Sequence, residues 1–541
     1  MRRWLVWGSK HRQHSVTTMS NLMKDGLQGI GETLRIQNSG IKQTILIIVV
    51  VGLLWKFIRA LFLSPLRHIP GPLIARLTPL RAISRRLPKR VAKAGLEDFY
   101  QFGDIYISKP DTVTICHPKD VQQVLGAKDS WKIDMYKDLA DPVMSNLVTF
   151  SDPQLASRRR RQITPFLNGP GYLAKMEAVI LEHGIQALKQ KWDKQLELAK
   201  GNPIEINYRN DTQLATFRIM SALAFGRVHS NPTDGAKIVD WISATAVFIG
   251  VSMNFKWMLN FPFSLLLRKW LSKYREFVNY GEQSVSQRKE ALSNNPDVKY
   301  ADMLQAFIDA EDPDSKVKMS AVEVQAESVG MQLAGSETTS ASLTWALHLL
   351  TLYPDALKRA TEEVRSCFRL EHTVTYKDSR DHLPFLESFV YEVFRYAPIT
   401  SGFMPRRSTK DLELQGHFIP SGTVVAFNLL ALNNRPDIWD QPEKFIPDRF
   451  IGNEEAKRNI FAFSYGPRSC VGRNLAWIEI MTILANLLKD YDISLPEDAV
   501  FGPANLDERG IPKMMPSECH IVFAPVDSER DCRLRIRKRV V

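Results

Sequence analysis

The sequence predicts a mainly α chain with a smaller β portion: a single large catalytic domain behind an N-terminal transmembrane helix. Three observations carry this. One apolar or neutral run, 44–63, stands near the start. Helix start and stop signals recur through the rest of the chain. Strand character is confined to short segments, chiefly 104–115 and 411–427.

Taken in order, residues 1–43 are an N-terminal extension. Residues 44–63 form a span of 20 residues, about 30 Å long as a helix and so long enough for the hydrocarbon core. Lys56 and Arg59 interrupt it and can snorkel to an interface. Ten basic and no acidic residues over 56–93 favour a cytosolic body by the positive-inside rule. Pro65, Pro70 and Pro72 mark a stiff hinge within a Pro-rich, basic collar, 64–93. The catalytic domain is expected over 94–526, followed by a basic tail, 527–541. Within the domain, 104–115 reads as two strands around Lys-Pro-Asp. Ser320 and Glu323 form a capping box before a helix that stops near Pro354. Pro384 opens another helix through Arg395, and a further one starts near Gly472.

Net charge is +12, but residues 94–526 alone carry 48 basic and 54 acidic side chains. The excess lies at the two ends, which argues against a nucleic-acid-coating protein. The five cysteines, 116, 367, 470, 519 and 532, are far apart. That excludes a disulfide framework or a structural zinc site. Neither a G-x-G-x-x-G turn after a strand nor a phosphate loop occurs.

Chemistry concentrates at Phe463-Ser-Tyr-Gly466-Pro-Arg468-Ser-Cys470-Val-Gly472. Gly466 and Gly472 permit a tight turn, Arg468 places a cation beside the sulfur, and Phe463 can shield it. A helix N-terminus just after Cys470 stabilises a thiolate. A single thiolate so held suits a haem iron, whose macrocycle supplies the equatorial ligands.

This stretch resembles the F-x-x-G-x-R-x-C-x-G loop of the cytochrome P-450 family of haem-thiolate monooxygenases. Other motifs follow the family's order. Glu392-Val-Phe-Arg395 and Pro447-Asp-Arg449-Phe450 resemble its Glu392–Arg395–Arg449 structural network. Ala334-Gly335-Ser-Glu337-Thr338 lies in the capped helix. There Ala334 and Gly335 let the helix pass close to a flat macrocycle, and Glu337-Thr338 resembles the family's proton-delivering acid–alcohol pair. The plainer reading of Thr338 is a hydroxyl bonded back to a helix carbonyl. Arg406 and Arg468 resemble haem-propionate partners. In the run Arg158–Arg161, either Arg159 or Arg160 takes the propionate role. The run's other reading is a solvated face for an acidic redox partner. Ala156 departs from the family, which usually has an aromatic or His there. Segments 126–149 and 398–404 resemble substrate walls.

The resemblance implies a microsomal, fungal-like monooxygenase using haem b, with Cys470 as axial iron ligand. It acts on a lipophilic small molecule (lipid, sterol, terpenoid or xenobiotic), and the apolar Val329, Met331, Leu333 and Leu343 suit this. Electrons are expected from a separate NADPH-dependent flavoprotein reductase carrying FAD and FMN. The setting is the endoplasmic reticulum membrane: single-pass, domain cytosolic, no nucleic-acid partner. Two alternatives stay open: an oxygen-independent haem-thiolate isomerase or dehydratase, and a non-catalytic membrane haem sensor.

Overall fold

The computed structural model describes residues 43–86, 90–141, 144–228, 234–400, 404–519 and 522–540. The expected extension, 1–43, therefore lies outside the described residues apart from its last position, as does the centre of the 398–404 wall. The chain divides into two compact units, Met1–His68 and Ile69–Val541. In the first, helix α1 (Gln43–Leu63) has a mean hydropathy of 2.4 and buries none of its surface, matching the expected span to within one residue.

The second unit is helical around a few small sheets. Its principal helices, in chain order, are α2 (Pro153–Asn168), α3 (Tyr208–Phe225), α4 (Asp234–Asn254), α5 (Arg268–Asn294), α6 (Ala321–Leu352), α7 (Pro384–Tyr396) and α8 (Arg473–Asp490). The strands are β1 (Ile105–Lys109), β2 (Thr112–Ile115), β3 (Ser130–Lys132), β4 (Ile204–Asn207), β5 (Arg406–Ser408), β6 (Leu412–Leu414), β7 (His417–Ile419), β8 (Val424–Phe427), β9 (Tyr491–Ser494), β10 (Ser517–Cys519), β11 (Phe523–Pro525) and β12 (Arg533–Lys538). The largest sheet has the order β1-β2-β8-β5-β3. Only its β2–β8 pair is parallel. The expected 104–115 hairpin is β1–β2, and Gln415-Gly416 turns β6 into β7.

Helix α6 is the central beam. Ser320 and Glu323 cap it reciprocally, as its sequence predicts. From Thr339 to Leu352 every residue is buried, so this half is enclosed on all sides. Its hydroxyls are satisfied locally: Ser342 and Thr344 donate to the carbonyls of Thr338 and Ser340 at 2.9 and 2.7 Å. Against α3, Thr216 donates to the Ser336 carbonyl at 3.0 Å and Gln332 to the Phe217 carbonyl at 3.1 Å.

The network expected from Glu392, Arg395 and Arg449 forms. Glu392 receives Arg395 through two bonds of 2.7 Å and Arg449 at 3.4 Å. Arg395 gives its remaining N–H groups to the carbonyls of Asn433, Pro442 and Lys444, each at 2.8 Å. All five of its donors are used at a fully buried site.

Two domain boundaries need correcting. The compact unit begins at Ile69, not 94, because the collar is folded into it. The Pro70 carbonyl accepts the Ile107 N–H at 2.8 Å. Arg81 and Arg85 both reach the buried Asp98, at 2.9 and 2.5 Å. At the other end, 527–541 is no separate tail. β12 is the central strand of the β4-β12-β9 sheet. Leu534 and Ile536 point into the core while Arg533, Arg535, Arg537 and Lys538 meet Glu205, Glu497, Asp492 and Asp193. Ile536→Ala should therefore cost about 2–5 kcal/mol in denaturant unfolding, whereas Arg535→Glu, at an exposed pair, should cost under about 1 kcal/mol.

Candidate active site

Cys470 sits in the loop that feeds α8. Its N–H donates to the Phe463 carbonyl at 2.8 Å, which closes the loop. Gly466 has φ +70°, and a Cβ there would lie 2.2 Å from the Leu125 carbonyl oxygen, so only glycine fits. Gly472 has an ordinary φ of −87°. Its value is proximity: a Cβ there would meet only the Cys470 sulfur, at 3.9 Å. Cys470 is exposed, though protein packs closely around its sulfur. Burial pushes the thiol up, and the Gly472 N–H, Arg160, Arg473 and Lys132 oppose that by favouring the thiolate. Phe463 packs edge-on against Phe394 with ring centroids 5.4 Å apart and carries Arg473 over its face.

The cation beside the sulfur is not Arg468. That side chain turns to the carbonyls of Leu147 and Phe150, at 3.1 and 2.8 Å. It lies in a cluster with Lys132, Arg160 and Arg406, in which Arg468 and Lys132 each feel the other three cations. Burial pushes the Arg468 guanidinium down to about 10, with Arg406 and Arg160 adding to the effect and Tyr136 opposing it. Lys132 is lowered well below the usual amine range by burial, then by Arg468, Arg406 and Arg160. Arg160 donates to the Ser469 carbonyl at 2.7 Å and Arg406 to the Tyr136 hydroxyl at 2.8 Å. Lys132 donates to the Val148 carbonyl at 2.7 Å. Among the described residues, no carboxylate pairs with any of the four. Lys132 and Arg406 even stand directly opposite in the β3–β5 ladder, a placement of like charges that destabilises a sheet unless an anion intervenes. A thiolate-forming cysteine beside four uncompensated cations is the donor set that haem, with its iron and two propionates, requires.

On α6, the expected residues divide between faces. Ala334 is exposed, and the Thr338 hydroxyl donates to its carbonyl at 2.6 Å, the plainer of the two arrangements. Gly335 faces α3 instead, where a Cβ would lie 2.6 Å from the Met220 sulfur. Its smallness serves helix packing, not a macrocycle. Glu337 also turns to α3. It pairs with Arg209 and accepts from Gln213 at 3.0 Å. Successive helix positions lie about 100° apart, so Glu337 and Thr338 do not face each other.

Arg159 is likewise spoken for. It is fully buried between Glu323 and Glu327, so of the two open choices only Arg160 reaches the cysteine loop. Arg161 pairs with Asp312, and Arg158 approaches Glu323 at 3.7 Å, so the run is no solvated face. Val329 and Leu343 are core residues. Lys132 and Tyr136 escaped the sequence reading. Their signal is weak: one of three lysines and a lone Tyr inside the 126–149 loop, whose partner Arg406 lies some 270 positions away.

Comparison with known proteins gives the same answer. The cytochrome P450 family model matches residues 74–511. Cytochrome P450 monooxygenase helB2 of Aspergillus fumigatus is 60% identical over 491 residues, covering 90% of this chain and 96% of the relative. Cytochrome P450 monooxygenase helB1 of the same organism is 47% identical, covering 92% and 86%. A trichothecene C-15 hydroxylase of Fusarium sporotrichioides is 26% identical, covering 81% and 89%. The fold, the cysteine loop and these matches agree that the chain belongs to the cytochrome P450 family, as a fungal haem monooxygenase.

Proposed function

We propose that this monooxygenase hydroxylates a lipophilic small molecule at a membrane surface, drawing electrons from a separate NADPH-dependent flavoprotein reductase with FAD and FMN. The observation that carries the chemistry is Cys470 in the loop before α8, with the Gly472 N–H, Arg160, Arg473 and Lys132 acting on its sulfur and the cluster of Lys132, Arg160, Arg406 and Arg468 nearby. Bound haem supplies the iron at which O2 is reduced and one oxygen atom is passed to the substrate.

The chain's own residues do the rest. The Phe463 carbonyl fixes the Cys470 backbone, and the Gly472 N–H and neighbouring cations favour the thiolate that an iron would take as its ligand, against the burial that opposes it. Lys132, Arg160, Arg406 and Arg468 would hold the two propionates of haem. Thr338 holds a proton at Oγ1, one turn from the exposed Ala334. Glu337, ion-paired with Arg209, could relay a proton toward it only after leaving that arginine and taking a proton from water, so the acid and the alcohol would act in sequence. Support for a lipophilic substrate comes from the family to which the chain belongs. Support for hydroxylation comes from the name of the Fusarium relative. Exposed Arg473, beside Cys470, offers an acidic reductase a contact.

The membrane reading places α1 across the endoplasmic reticulum bilayer with the catalytic unit cytosolic. It is supported by exposed apolar groups on the second unit itself. Trp257, Phe261, Phe263, Leu266 and Trp270 cluster between α4 and α5, and Leu73 and Leu80 follow the hinge. Aromatic side chains next to Lys256, Arg268 and Lys269 have the composition of an interfacial segment.

Three outcomes test this. Carbon monoxide added to reduced protein should give the red-shifted Soret band of a thiolate ligand, and Cys470→Ala should abolish it; survival of the band moves the ligand elsewhere. Thr338→Ala should keep that band but lose about tenfold or more of product per electron pair, the scale of a general acid's contribution, with peroxide released instead. Protein starting at Ile69 should still float with vesicles containing anionic lipid, and Phe261→Asp with Leu266→Asp should release it.

A further inference from the structure

Glu327 lies on α6 about 16 Å before Thr338 along the helix axis, and no step above uses it. It is 1% exposed. Its Oε1 accepts two hydrogen bonds, from the Leu147 N–H at 2.9 Å and from Arg159 Nη1 at 3.0 Å. Arg159 also holds Glu323 and donates to Gln162 at 3.1 Å, and its guanidinium lies over the Phe150 ring.

The partner loop is tight. Asn146 accepts from Val148, Thr149 and Phe150 N–H groups and receives the Thr149 hydroxyl. It presses on α6 so closely that a Cβ at Gly330 would lie 2.8 Å from its Nδ2. On its far side the same loop presents the Leu147 and Phe150 carbonyls to Arg468, and the Val148 carbonyl to Lys132. Two of the four unpaired cations are thus aimed by a loop that Glu327 fastens to α6. Burial pushes the Glu327 carboxyl up to about 7, opposed by Arg159 and the Leu147 N–H and assisted by Glu323. Replacing a whole buried pair such as Glu327–Arg159 by well-packed apolar residues is often neutral or better for stability, so the pair asks for a positional reason.

We propose that Glu327 is a positioning residue: through Leu147 it sets the 146–150 loop, and through that loop it aims Arg468 and Lys132 at the cofactor's carboxylates. This rests on the reading that those cations hold the cofactor.

The test uses full-length holoprotein and compares the parent with Glu327→Leu and Glu327→Gln. Hydrogen exchange at the Leu147–Phe150 amides reads the tie itself. Transfer of haem to apomyoglobin reads its consequence at the cofactor. Glu327→Leu should speed both about tenfold, on the scale of one lost charge-assisted bond, while the thiolate band persists. Glu327→Gln, which still offers Leu147 an acceptor, should fall between. Because Glu327 acts through the loop, Glu327→Leu should add little to haem loss in an Arg468→Lys background. Should Glu327→Leu fail to fold, Glu327→Gln decides: parent-like exchange and haem loss overturn the proposal. Faster exchange with unchanged haem loss also overturns it, since the tie would not reach the cofactor. So does a fully multiplicative double variant. A parent lacking the thiolate band defeats the underlying cofactor reading as well, and is seen before either variant is made.

Discussion

Four cations without a carboxylate are the constraint around which this structure is built. Lys132 comes from β3, Arg160 from α2, Arg406 from β5 and Arg468 from the loop before α8. Burial first, and then the neighbouring cations, lower Lys132 and Arg468. Such an arrangement is stable when an anion belongs there. Two of the four meet in the small β1-β2-β8-β5-β3 sheet. Its β3–β5 edge brings Lys132 opposite Arg406, and hydrogen bonds to the Tyr136 hydroxyl and the Val148 carbonyl aim them. The cofactor is thus part of the fold's charge balance as well as its chemistry.

The contrast with Arg395 sharpens the point. That guanidinium is buried as Arg406 is, yet each of its five N–H groups has an acceptor and Glu392 supplies the opposite charge. It is finished without a ligand. Removing Glu392 leaves a buried charge uncompensated, a cost of about 3–5 kcal/mol. Two arginine sites of similar burial therefore have opposite meanings, and what separates them is how their donors are used.

What could be read from the sequence follows the range of the interaction involved. The Ser320–Glu323 capping box, the β1–β2 hairpin, the α1 span and the Cys470 loop depend on residues a few positions apart, and all stand where the sequence puts them. The run Arg158–Arg161 could not be resolved, because consecutive helical residues point about 100° apart and their partners, Glu323, Glu327, Asp312 and Ser469, lie in distant segments. Gly335 shows a subtler limit. A mid-helix glycine does announce a close approach, but not of what, and here it is Met220 on α3. The C-terminal segment shows a third limit: its charge suggests a tail, whereas Arg533-Leu-Arg-Ile-Arg-Lys538 alternates with a period of two, the mark of a half-buried strand.

That strand changes the meaning of the net charge of +12. The tail cations sit across from Glu205, Glu497, Asp492 and Asp193, and two collar arginines share Asp98. The excess of the C-terminal segment is therefore taken up within the fold. Among the described residues, the charge that lacks a carboxylate near the cysteine loop is at Lys132, Arg160, Arg406 and Arg468, in a body whose sequence count is slightly acidic. Bulk composition pointed to the wrong end of the molecule because it counts charges without their partners. A buried cation with no acid beside it says more about the ligand than the whole surplus does.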